Sequence, residues 1–105
     1  MSEAERIRRG PGAKLRRAIL ERQDGRCLYC GAQFGSIHNR NGRPFLIHLN
    51  WDHQVPFSYG YDNADKNFAA ACHVCNGIKS SLQFPDLETA MVELASRRSS
   101  KGYDF

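Results

Sequence analysis

Four cysteines stand in two pairs, Cys27-Leu28-Tyr29-Cys30 and Cys72-His73-Val74-Cys75, with 41 residues between the pairs. Two such knuckles can close four thiolates into the tetrahedron that structural zinc takes. A redox dithiol, an iron–sulfur cluster and plain packing are the alternatives. Four sulfurs complete the shell, which leaves His73 for surface or supporting duty and His38 and His48 as spare imidazoles. A closed sulfur site has no open position for a substrate, so chemistry has to come from other groups. The chain offers them at Asp52-His53 and at Asn76, directly after the last cysteine. An imidazole, with an unperturbed pKa of about 6.5, can act as a general base near neutrality. A carboxylate and an amide present oxygens that suit a hard cation such as Mg²⁺ and leave most of its sphere to water and phosphate.

These residues need elements to hold them. Ala13 to about Gln23 reads as a helix with Leu15, Ala18, Ile19 and Arg22 on one stripe, ended by Asp24-Gly25. Asn41-Gly42 marks a tight turn or hairpin. Phe45–Trp51 alternates as a strand, with Ile47, Leu49 and Trp51 on one side and His48 and Asn50 on the other. Asn67–Ala71 is a short apolar run that could pair with it. A helix is expected from Cys75 or Asn76 to about Leu82, and another, opened by Pro85-Asp86, over about 86–98. The stripe of that last helix is Leu87, Ala90, Met91, Leu94 and Ala95, read as core or docking surface. Trp51, Phe57, Tyr59 and Tyr61 read as core rather than base-stacking residues. Strand neighbours point to opposite faces, so Asp52 and His53 can reach one phosphate only if the strand ends or bulges there, as Pro56 and its loop would allow.

In order, Cys27-x₂-Cys30, Asp52-His53-x₂-Pro56, Asn67-x₄-Cys72-x₂-Cys75-Asn76-x₂-Lys79 resembles the HNH nuclease family, across about residues 24–82. That family's common form reads C-x₂-C, D-H-x-x-P, N-x₄-C-x₂-C-[HN]-x-x-K. The resemblance implies an α+β fold: a small zinc-stapled ββα-metal (His-Me finger) domain, here with flanking N- and C-terminal helices. It implies metal-dependent hydrolysis of DNA phosphodiesters, with His53 as general base and Asp52 and Asn76 holding a catalytic Mg²⁺ or Mn²⁺. Asn67 would tie down the loop and so orient the histidine; an ordinary loop-end amide is the alternative. Lys79 would contact phosphate, a solvated helix lysine being the alternative. Asn76 stands where the family name has histidine, and an amide is a weaker ligand for Mn²⁺ or Ni²⁺. The small size also resembles free-standing phage and bacterial nucleases that act beside packaging proteins.

The chain has 105 residues, enough for one domain and a small core. Residues 1–12 read as a mobile basic segment ending in Gly10-Pro11-Gly12, and 13–105 as the single domain. A formal net charge of +4 falls to about +2 once four thiolates hold one Zn²⁺. Distribution says more than the total: residues 1–22 carry seven basic side chains against three acidic. Lys14, Arg16 and Arg17, with Arg40 and Arg43, are the candidates for DNA phosphate contacts, which position a duplex without reading its sequence. No apolar run approaches the ~20 residues that span a bilayer and no secretory signal is visible, so the reducing cytoplasm of a bacterial or phage-infected cell is the expected compartment. Two alternatives accompany the DNA nuclease: a catalytically inert zinc-stabilised module that binds DNA or protein, and a nuclease of the same chemistry directed at RNA.

Overall fold

The computed structural model describes residues 10–55 and 65–105. The expectations for Arg6, Arg8, Arg9, Pro56, Phe57, Tyr59 and Tyr61 fall outside those residues. The described elements are α1 (Ala13–Arg22), β1 (Ile37–Arg40), β2 (Arg43–Leu46), β3 (Leu49–His53), β4 (Phe68–Cys72), α2 (His73–Lys79) and α3 (Leu87–Ser100). A single 3-10 turn, Asp65–Asn67, leads into β4. The architecture is α+β, with β1–β2 and β3–β4 as separate antiparallel pairs. Among the described residues no helix is long and apolar enough to cross a membrane.

α1 covers one face of β3–β4. Ile19 is fully buried against Phe68 and Ala70, with Leu15, Leu20, Leu49 and half-buried Trp51 around it. The expected stripe is narrower than drawn, because Ala18 and Arg22 are exposed. Beyond the helix, Gln23 pairs with the outer edge of β4: its side-chain amide donates to the Ala70 carbonyl at 2.8 Å and its Oε1 accepts from the Ala70 N–H at 3.1 Å. That edge of the sheet is thereby closed to further strand pairing. Asp24 and Gly25, both at positive φ, then turn the chain toward Cys27.

Between the knuckles the β1–β2 hairpin closes on Asn41 and Gly42, at φ 50 and 78, as a two-residue turn between Arg40 and Arg43. The single strand expected over Phe45–Trp51 is broken in two. β2 ends at Leu46. Ile47 then buries its side chain while its backbone bonds Ser36 and Gly35, and the His48 carbonyl accepts the first N–H of α2, that of His73. Hydrogen bonds divide the run here although its alternation carries straight on.

α2 begins earlier and ends earlier than expected. Cys72 is its N-cap, its sulfur accepting the Cys75 N–H, and Ser80 stops it at φ 45. α3 starts where Pro85-Asp86 predicts, with Asp86 accepting the Thr89 N–H at 2.7 Å, but runs on to Ser100, a little past the expected end. Only Ala90, Leu94 and Arg98 along it are buried; Ala95 is exposed, as are Leu87 and Met91. The last residues pin the first hairpin, since Asp104 exchanges backbone and side-chain hydrogen bonds with Asn39.

Candidate metal centre and the residues beside it

The four cysteine sulfurs come together within 4.8 Å of one another, and none is in a disulfide. A regular tetrahedron with Zn–S bonds of about 2.3 Å has edges of about 3.8 Å, and Cys30 and Cys72 lie 3.8 Å apart. Each sulfur also receives one N–H. Tyr29 donates to Cys27 and Ala32 to Cys30, both at 3.4 Å; Cys75 donates to Cys72 and the Arg98 guanidinium to Cys75, both at 3.3 Å. The first knuckle's turn needs Gly31 at φ 74, a conformation a side chain would strain. Crowded together, the thiols divide protons unequally: hydrogen bonding with Cys30 holds Cys27 far below the thiol range, while hydrogen bonding with Cys27 pushes Cys75 far above it. Sulfur ligands, spacing and donors all fit a structural Zn²⁺, which the four cysteines could hold.

In the sequence Arg98 reads, with Arg97, only as a basic helix end suited to the macrodipole, not as a partner of the cysteines, although it continues the Ala90–Leu94 face at four-residue spacing. It is buried, bonds the Phe105 carbonyl and stacks on the Phe105 ring. Its positive charge offsets part of the −2 of a Zn(Cys)₄ centre. Arg98→Met is therefore expected to weaken zinc retention about 10–100-fold, the usual cost of losing an outer hydrogen-bond partner. Competition against a chromophoric chelator measures this, and unchanged retention would remove Arg98 from the site.

Asp52 and His53 lie at the end of β3, but not as a bulge. Of the two expectations, an ended strand or a bulge, the structure takes the first. Register is unbroken to the last pairs, Asp52↔Ala69 and His53↔Phe68, β3 stops at His53, and the two side chains take opposite faces. His53, 3% exposed, packs its ring on Phe68 at 4.8 Å. Asp52, also 3% exposed, turns toward Tyr29, whose hydroxyl donates to Oδ2 at 2.5 Å, and toward Lys79, whose ammonium reaches Oδ1 at 3.4 Å. Burial pushes the Asp52 carboxyl up, opposed by the Tyr29 hydrogen bond and the Lys79 charge; burial likewise raises the Tyr29 phenol, with the Asp52 charge adding to it.

Lys79 corrects the sequence reading. It is 1% exposed, and its ammonium is committed to Asp52 and to the His53 carbonyl at 3.0 Å, so it is not a solvated helix lysine and, as the residues stand, it is not presented to a phosphate. The same pairing bears on the second cation. As the residues stand, both Asp52 oxygens are engaged and a fixed positive charge lies beside them, which does not fit a divalent ion at that carboxylate. Removing one member of a buried pair leaves the other charge uncompensated. Lys79→Met should accordingly cost about 3–5 kcal/mol in urea unfolding; a loss within experimental error would show the pair to be dispensable.

Asn67 is buried and clamps the residue two places beyond His53: the Val55 N–H donates to its Oδ1 at 2.8 Å, and its Nδ2 donates to the Val55 carbonyl at 3.1 Å. Asn76 is half-buried in α2, one turn before Lys79. All five basic candidates, Lys14, Arg16, Arg17, Arg40 and Arg43, are exposed, but two of them are held in place. Arg16 is tied to the Pro11 carbonyl and stacks on Trp51, and Arg40 is tied to the Lys101 carbonyl and stacks on Tyr103. Tyr29, like Arg98, was missed as a site residue, since a tyrosine between two cysteines carries no signal of a distant carboxylate partner. Comparison with protein-family models, with curated proteins and with solved structures found no match.

Proposed function

We propose that this chain hydrolyses phosphodiester bonds in DNA, with His53 as the general base. One observation carries the reading: β3 and β4 form an antiparallel pair that runs without a break into α2, and a four-cysteine cluster braces the junction. On that unit Asp52-His53 closes the incoming strand, Asn67 clamps Val55 just beyond it, and Asn76 rides the helix. This order along the chain supports the HNH resemblance, which implies a ββα-metal domain. The neutral imidazole takes a proton from water as its oxygen attacks phosphorus. The P–O3′ bond then breaks, and the departing oxygen takes a proton from solvent, leaving 5′-phosphate and 3′-hydroxyl ends. Because His53 is buried, substrate has to rearrange the end of β3 to reach it. A catalytic Mg²⁺ or Mn²⁺ at Asp52 and Asn76 belongs to the proposal only for a state in which Lys79 has released the carboxylate.

A second reading, an inert zinc-braced module that binds DNA or protein, draws on the buried Asp52–Lys79 pair, which needs no catalytic purpose. Conversion of supercoiled plasmid to nicked circles by zinc-loaded protein, with Mg²⁺ or Mn²⁺ added, separates the two. Nicking supports the enzyme; binding without nicking at any protein concentration supports the module. Duplex RNA in parallel reveals whether DNA is the preferred substrate.

A further inference from the structure

A cleft of about 620 Å³ opens between the β1–β2 hairpin, the first residue of α2 and the C-terminal segment. Its size is that of pockets that accept a small ligand rather than a broad surface. Phe45 and Tyr103 supply aromatic walls, meeting edge to face at 5.5 Å. Arg40 lies over the Tyr103 ring at 4.8 Å, with its Nε held by the Lys101 carbonyl, so cation and ring form one fixed wall. Arg43 is exposed, and its side chain makes no ion pair or hydrogen bond among the described residues. Asn41 and His73 also line the cleft, adding an amide and an imidazole edge.

Aromatic faces with adjacent arginines, in a concavity of this size, match one chemistry: a base to stack and a phosphate to neutralise. Bases inside a duplex are already paired and stacked, and none can enter a cleft without leaving its helix. An unpaired nucleotide offers both faces. His73, at the cleft, precedes Asn76 by three residues, about 4.5 Å along the helix axis. We propose that this cleft binds an unpaired nucleotide of a DNA strand, a few nucleotides from the phosphate presented at His53. The offset arises because Cys72, which precedes His73, pairs with Leu49 at the opposite end of β3 from His53. The assignment rests on the DNA-hydrolysis reading for its place on the strand, but binding can be measured without cutting.

Fluorescence anisotropy on zinc-loaded His53→Ala protein, with a labelled single strand of about eight nucleotides and the blunt duplex of the same sequence, tests it. The strand should bind at least about ten-fold more tightly than the duplex. In the same background Arg43→Gln should weaken strand binding about ten-fold and reduce the salt slope by about 0.7, as loss of one phosphate contact requires. Amide shifts on adding the strand should centre on Asn41, Phe45, His73 and Tyr103. Equal or tighter duplex binding, an unaffected Arg43→Gln variant, or shifts confined to other residues would overturn the assignment. None of these outcomes bears on whether the wild type cuts.

Discussion

His53→Ala is expected to lower the rate of plasmid nicking by roughly 10²–10⁴-fold, the span that a positioned general base contributes. The ring does more than chemistry, since it packs on Phe68 and its backbone carbonyl accepts from Lys79. Alanine keeps that carbonyl but empties space beside Phe68, so a lower melting temperature is expected along with the slower rate. His53→Gln retains most of the volume while lacking a ring nitrogen that can take the proton. If both variants lose cutting while the glutamine variant melts near the wild type, the loss belongs to proton transfer. If glutamine cuts as fast as histidine, His53 is a packing residue and the mechanism above is wrong.

The second large effect is on folding. Removing zinc should unfold the β3–β4–α2 unit, because the cluster joins Cys27 and Cys30, ahead of the first hairpin, to Cys72 and Cys75 at the strand–helix junction. Structural zinc contributes on the order of 10–16 kcal/mol in zinc-finger peptides, which is comparable with the whole stability of a typical domain. Cys75→Ser should give the same result, for Cys75 is fully buried and receives the Arg98 guanidinium. Far-ultraviolet circular dichroism during chelator titration, with metal released per chain measured in step, follows both. A spectrum unchanged after complete loss of zinc would mean that the apolar clusters alone hold the fold.

Where an element has a local marker, the sequence reveals it. Asn41-Gly42 gives the hairpin because both positions take positive φ, Asp24-Gly25 ends α1 for the same reason, and Asp86 caps α3. The four-cysteine cluster is equally legible, since its spacing is its geometry. What stayed hidden depends on partners far along the chain. Nothing near Ile47 and His48 marks a break, because the bonds that divide the strand come from Ser36, Gly35 and His73. The early start of α2 escapes because its cap is a thiol rather than one of the usual hydroxyl, amide or carboxylate residues. Lys79 has the pattern of a solvated lysine; only its folded position, against Asp52 and the His53 carbonyl, draws it inside. Likewise, the sequence leaves open whether the strand ends or bulges at Asp52-His53; the pairing with Ala69 and Phe68 keeps it regular until it ends.

The most direct measurement is the fate of supercoiled DNA incubated with zinc-loaded wild-type protein and Mg²⁺, then treated with DNA ligase. Hydrolysis guided by His53 predicts nicked circles that ligase reseals without further treatment, since 5′-phosphate and 3′-hydroxyl ends lie side by side. Plasmid that stays supercoiled, or nicks that ligase cannot close, would contradict it.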